Sequence, residues 1–148
     1  MVSDKPMKIA RSRYEHIAEI PTRWMDNDTY GHVNNVIYYS FFDTAVNGFL
    51  IENGALDIRD GDTIGLVVET HCEYFASLSF PDLVEAGIAV SKIGNSSVRY
   101  EIGLFAEGEE EPAAQGYFVH VYVDKDTRRP TSLPETLKSL LGTILLSG

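Results

Sequence analysis

The spacing of apolar positions changes period twice along the chain. Residues 15–26, "EHIAEIPTRWMD", partly alternate and predict a first strand, with Pro21 at an edge or bulge position. Residues 34–54, "NNVIYYSFFDTAVNGFLIENG", then predict a helix. Tyr38, Phe42, Ala45 and Phe49 fall at i, i+4, i+7 and i+11, which is one helical face. Val36, Ile37, Tyr39, Phe41, Val46 and Leu50 widen the apolar surface to nearly the whole circumference, so the helix is expected to be buried on most sides. Gly54 is a plausible stop. From there the period is two. Residues 62–78, 82–94, 96–108 and 112–127 predict four long strands. They are separated by turn signals at Phe80-Pro81-Asp82, at Gly94-Asn95-Ser96 and at the solvated tip "GEEEP". That spacing suits an antiparallel meander. Residues 132–146 predict a short amphipathic helix opened by Pro134.

This order implies an α+β fold: a curved antiparallel sheet, apolar on one face, wrapped around a long central helix. Bare edge strands in such a sheet invite pairing with a second copy.

Composition narrows the function. The 148 residues include 44% hydrophobic and 23% charged positions, as expected for a single globular domain spanning residues 1–148. A formal charge of −10 with no Lys/Arg stripe argues against a nucleic-acid partner. Cys72 stands alone, which excludes an internal disulfide and fits a reducing cytoplasm. The start lacks the apolar core of a secretory signal, and no run is long enough for a membrane span.

The chemistry concentrates in "RWMDNDTYGHVNNVIYYSFFD", residues 23–43. Asp26 and Asp28 precede a helix, where carboxylates accept backbone N–H bonds; for Asp26 that structural reading is preferred. Gly31 suits a positive φ, Asn34 or Asn35 suits a cap, and Trp24 and the tyrosines are assigned to packing. Taken together the parts do more. A helix N-terminus offers free N–H donors that polarise a carbonyl, and a carboxylate just upstream can attack it or deprotonate a water. The set matches hydrolysis of an activated acyl group. No G-x-S-x-G nucleophile motif and no Cys–His pair competes with it.

The pattern D-x-D-x-x-G-H-V-N-N-x-x-Y, the element order, "VSKIGNSSVRYEIGLF" and "RRPTSLPETLKSLL" resemble the hotdog-fold thioesterases of the 4-hydroxybenzoyl-CoA thioesterase-like group, over roughly residues 16–141. The resemblance implies a hotdog fold and acyl-CoA thioester hydrolysis without a cofactor or metal. It implies Asp28 as nucleophile or general base and the Asn35 N–H as carbonyl polariser. The "GHVNN" run also resembles plant-type acyl-carrier-protein thioesterases, whose histidine falls on His32; they carry Asn where this chain has Tyr30. Tyr30, Gly31 and Asn34 are expected to line the substrate. Lys92, Ser97 and Arg99, near the second meander turn, are expected to hold coenzyme A phosphates. The resemblance further implies a homodimer, with a tetramer as the alternative, whose second protomer contributes long-strand residues near Glu69 to Glu73. The substrate is acyl-CoA or an acyl-carrier-protein thioester.

Three other readings fit the same residues. One is a hydratase or dehydratase of acyl thioesters using His32 with Asp26 or Asp28. Another is a non-catalytic acyl-binding protein. The last is a metal site from Asp26, Asp28 and His32.

Overall fold

The computed structural model describes residues 7–55 and 61–146; the first six residues of the segment read for a secretory signal lie outside it. The elements are β1 (His16–Pro21), α1 (Ile37–Glu52), β2 (Thr63–Tyr74), β3 (Leu83–Ile93), β4 (Ser97–Ala106), β5 (Ala114–Asp124) and α2 (Glu135–Gly142). The five strands form one antiparallel sheet in the order β1-β3-β4-β5-β2, with α1 against one face. This is the hotdog arrangement, α+β in class.

The first strand is shorter than the sequence pattern suggests. It ends at Pro21, and Trp24–Asp26 form a 3-10 turn instead. Trp24 is largely exposed, meeting Phe80 edge-on at 6.0 Å, so it packs at a rim rather than in the core. The meander is also shorter than expected. Only β3, β4 and β5 follow one another in space; β2 crosses to the far edge and pairs with β5, from Thr63↔Asp124 to Tyr74↔Ala114. The position beside β3 that a meander would give β2 is taken by β1. Period-two patterning states which face a residue occupies, not which strand lies next to it.

The core forms between α1 and the sheet. Tyr38, Phe42, Ala45 and Phe49 are buried as their spacing predicts, together with Phe41, Val46 and Leu50. Strand residues Val84, Ala86, Ile88, Tyr100, Ile102, Leu104 and Phe118 meet them. The helix is not covered all round, however. Ser40, Asp43, Thr44 and Ile51 form an exposed stripe, because a single sheet curls around only one side of it.

Gly116 fixes how closely β2 approaches. A Cβ there would lie 1.9 Å from the His71 carbonyl oxygen and 2.8 Å from the Phe42 ring, so no side chain fits between β5, β2 and α1. Gly116→Ala is expected to prise β2 away at a cost on the order of 2 kcal/mol, read as a Tm drop of roughly 4–8 °C in thermal denaturation. An unchanged Tm would show that the edge strand tolerates the displacement.

Candidate active site

The path into α1 is built from local hydrogen bonds. Asp26 is 1% exposed and fully engaged: Oδ2 accepts from the Arg23 N–H at 2.8 Å, and Oδ1 accepts from the guanidinium at 2.8 and 3.1 Å. Its role is structural, and no three-ligand metal set with Asp28 and His32 assembles; no such cluster occurs among the described residues. The Asn34 N–H donates to the Asp26 carbonyl at 2.8 Å, and Val33 is buried, with its N–H on Leu78.

Between these anchors the chain makes a tight loop around Asp28. Oδ1 of Asp28 accepts from the Tyr30 N–H at 2.8 Å and the His32 N–H at 3.3 Å. The Asp28 N–H donates to the His32 carbonyl at 2.8 Å. Gly31 turns the loop at φ +80°, a conformation L side chains rarely adopt. Oδ2 has no protein partner among the described residues. One carboxylate oxygen therefore holds the loop and the other is left unpartnered.

The two asparagines divide the labour of the helix start. The Asn34 carbonyl accepts from the Ile37 N–H at 2.9 Å, and its Oδ1 accepts from the Val36 N–H at 3.2 Å. In a trans peptide the C=O and N–H point in opposite directions. With the Asn34 carbonyl turned into the helix, the Asn35 N–H points out of its N-terminus. That N–H has no protein acceptor among the described residues.

Asp28, His32 and Asn35 line one open cleft of about 530 Å³ with Val33, Tyr38, Tyr74 and residues 75–77. Burial raises the Tyr38 hydroxyl pKa and pushes that of Tyr74 to about 12, so both phenols are neutral donors at ordinary pH. The cleft is thus lined by residues that carry an unpartnered carboxylate oxygen, an unpartnered backbone N–H and an imidazole, with the Tyr38 and Tyr74 rings beside them and the Tyr74 hydroxyl already on the Asn35 carbonyl.

The other expected substrate residues lie elsewhere or act through the backbone. The Tyr30 side chain is 84% exposed and does not line the cleft. Gly31 acts as the turn; the N-cap of α1 is Val36 rather than either asparagine, and Asn34 closes the turn before it by accepting the Val36 N–H. Lys92, Ser97 and Arg99 sit at the opposite end of the sheet: β3 starts beside the cleft, where the Thr22 N–H meets the Asp82 carbonyl, and Lys92 is near its other end, paired with Arg99. Arg99 is also on the outer face, stacked 3.8 Å over the Tyr117 ring, with Nε 2.6 Å from Glu101 Oε2. Within one protomer, none of the three reaches the cleft. Glu69 and Glu73 share that outer face, bonded to Tyr117 and His71, and so point away from α1. The sequence reading missed Tyr74. Its place in the alternation with Thr70 and Cys72, on the helix side of the sheet, was the available signal.

Residues 22–141 match the thioesterase-like superfamily. The chain belongs to that superfamily. Among solved structures, this superfamily member is similar to the PA5185 protein of Pseudomonas aeruginosa strain PAO1, at 51% identity over 96% of this chain and 99% of that one, with a TM-score of 0.93. More distant structures share the fold. The 1,4-dihydroxy-2-naphthoyl-CoA thioesterase Slr0204 from Synechocystis has 15% identity over 85% of this chain and 94% of that one, with a TM-score of 0.77. The DHNA-CoA thioesterase from Staphylococcus aureus has 22% identity over 86% of each chain, with a TM-score of 0.74. No curated protein matches the chain. No helix among the described residues of this thioesterase-like chain is long and apolar enough to cross a membrane.

Proposed function

We propose that the protein hydrolyses acyl-CoA thioesters to a carboxylic acid and free coenzyme A. One observation carries the reading: Asp28 and Asn35 line the same cleft, and each has a group, a carboxylate oxygen and an N–H, without a protein partner among the described residues. A thioester carbonyl placed there has its oxygen on the Asn35 N–H and its carbon facing Asp28. Asp28 attacks that carbon itself or takes a proton from an attacking water. In the first route a C–O bond to Asp28 forms as the C–S bond breaks, and water then hydrolyses the resulting anhydride to the free acid and restores Asp28. In the second the C–O bond forms to the water oxygen as the C–S bond breaks. In both the departing thiolate is protonated. His32, whose N–H holds the Asp28 loop, lines the same cleft and is assigned to orient the water. Structural neighbours that are CoA thioesterases support the substrate class.

The proposal includes a homodimer built on β2. That strand pairs with β5 along one edge only and exposes Leu66, Val67 and Val68. Antiparallel pairing of two such strands brings the partner's β3–β4 turn, with its Lys92 and Ser97 equivalents, to the end of the sheet where the cleft lies. Sedimentation at twice the chain mass is the expected result.

The function is tested with a panel of aliphatic and aromatic acyl-CoA substrates assayed for thiol release. Turnover on at least one class is expected. Saturable acyl-CoA binding with no thiol release across the panel would replace hydrolysis with a binding role.

A further inference from the structure

We propose that Tyr74 is a positioning residue that tethers the turn carrying the Asn35 amide to the sheet, so that the carbonyl-polarising donor is held in place from the sheet as well as from the helix. The catalytic consequence rests on the thioesterase reading above; the structural one does not. Asn35 lies in the turn before α1, where its carbonyl accepts from the Tyr38 N–H at a long 3.3 Å. The Tyr74 hydroxyl donates to the same carbonyl at 3.1 Å from 39 positions away in sequence. Tyr74 is the last residue of β2, paired with Ala114 of β5, and so is tied into the sheet.

Residue 35 is therefore clamped on both sides. The peptide before it is fixed by the Asn34 carbonyl on the Ile37 N–H, and the peptide after it by the Tyr74 hydroxyl and the Tyr38 N–H. The Asn35 N–H lies in the first of these peptides, where the Asn34 carbonyl sets its direction; loss of the Tyr74 bond leaves the second held by the long Tyr38 bond alone, so the turn, and the unpartnered N–H with it, is free to shift against the cleft wall. A donor that must meet a developing oxyanion loses value quickly when misaimed. The hydroxyl bond to the carbonyl also separates this role from substrate binding, since its proton is already committed.

The test is Tyr74→Phe, which keeps the ring on Tyr38, at 5.0 Å and 64°, and removes only the hydroxyl. The expected result is a fall in kcat of about tenfold, with KM changed less than about twofold, which is the scale of one hydrogen bond felt mainly in the transition state. In the free protein, the Asn35 amide resonance should move and its hydrogen exchange should quicken. Wild-type kcat, or a rise in KM at constant kcat, overturns the catalytic role. An unchanged Asn35 amide in the variant overturns the clamp itself. If the wild-type protein releases no thiol from any substrate, the thioesterase reading and the catalytic role fall together, and the amide measurement alone decides whether Tyr74 holds Asn35.

Discussion

Asp28→Asn is expected to fold normally and to lose roughly 10²–10⁴-fold in kcat for thioester hydrolysis. The substitution separates the two jobs of the side chain. Oδ1 accepts from the Tyr30 and His32 N–H groups, and an amide oxygen accepts both bonds as well. The loop, the Gly31 turn and the aim of Asn35 should therefore persist, and the thermal midpoint should stay within ~2 °C. What disappears is the negative charge and the lone pair that attacks the thioester or deprotonates a water. Wild-type turnover in a folded Asp28→Asn protein would reduce Asp28 to a loop residue and move the search to His32. Asp28→Ala is the less useful variant, because it removes the loop bonds and the chemistry together.

The parts of this site were unequally legible in the sequence. The buried face of α1 could be read because a 3.6-residue period leaves Tyr38, Phe42, Ala45 and Phe49 in line. Asp28 and Asn35 were legible because the loop that joins them is local: eight residues carry the Asx-type bonds, the positive φ and the asparagine that closes the turn. Asn34 and Asn35 look alike in the sequence; the N-cap turned out to be Val36, and only the bond from its N–H to Asn34 shows which asparagine closes the turn and which is left open. For Tyr74 the alternation gave only its side of the strand; its bond to Asn35 was not legible, since that depends on β2 crossing to the edge beside β5. Lys92, Ser97 and Arg99 were assigned to coenzyme A by the family resemblance; within one protomer they lie at the far end of the sheet from the cleft, so that assignment rests on a second protomer. The Arg99 guanidinium is committed to Glu101 and Tyr117 on the outer face.

Acidification from pH 7 to pH 4 is expected to remove about 3 kcal/mol of stability through one residue, His120. It lies on β5, 4% exposed, between Phe118 and Tyr100 with Tyr122 beyond, and its Nε2 has no partner. Burial lowers its pKa from 6.5 to about 4, and the Asp43 carboxylate on α1 pulls weakly the other way. Above about pH 6.5 the ring is neutral whether the chain is folded or not, so it costs nothing. Below that, the unfolded chain takes up a proton that the folded protein refuses, and stability falls with pH until about pH 4, where both forms are charged. About two-thirds of the loss should be present by pH 5, ahead of the window in which Glu85 acts; Arg11 lowers that carboxyl's pKa, so its own contribution is lost only in more acid solution. His120→Phe keeps an aromatic ring in the stack and removes the titration. Urea midpoints at pH 7 and pH 5 should converge for the variant and diverge for the wild type. Equal pH slopes in the two proteins would mean that the imidazole is charged in the fold, with Asp43 as a closer partner than the structure places it.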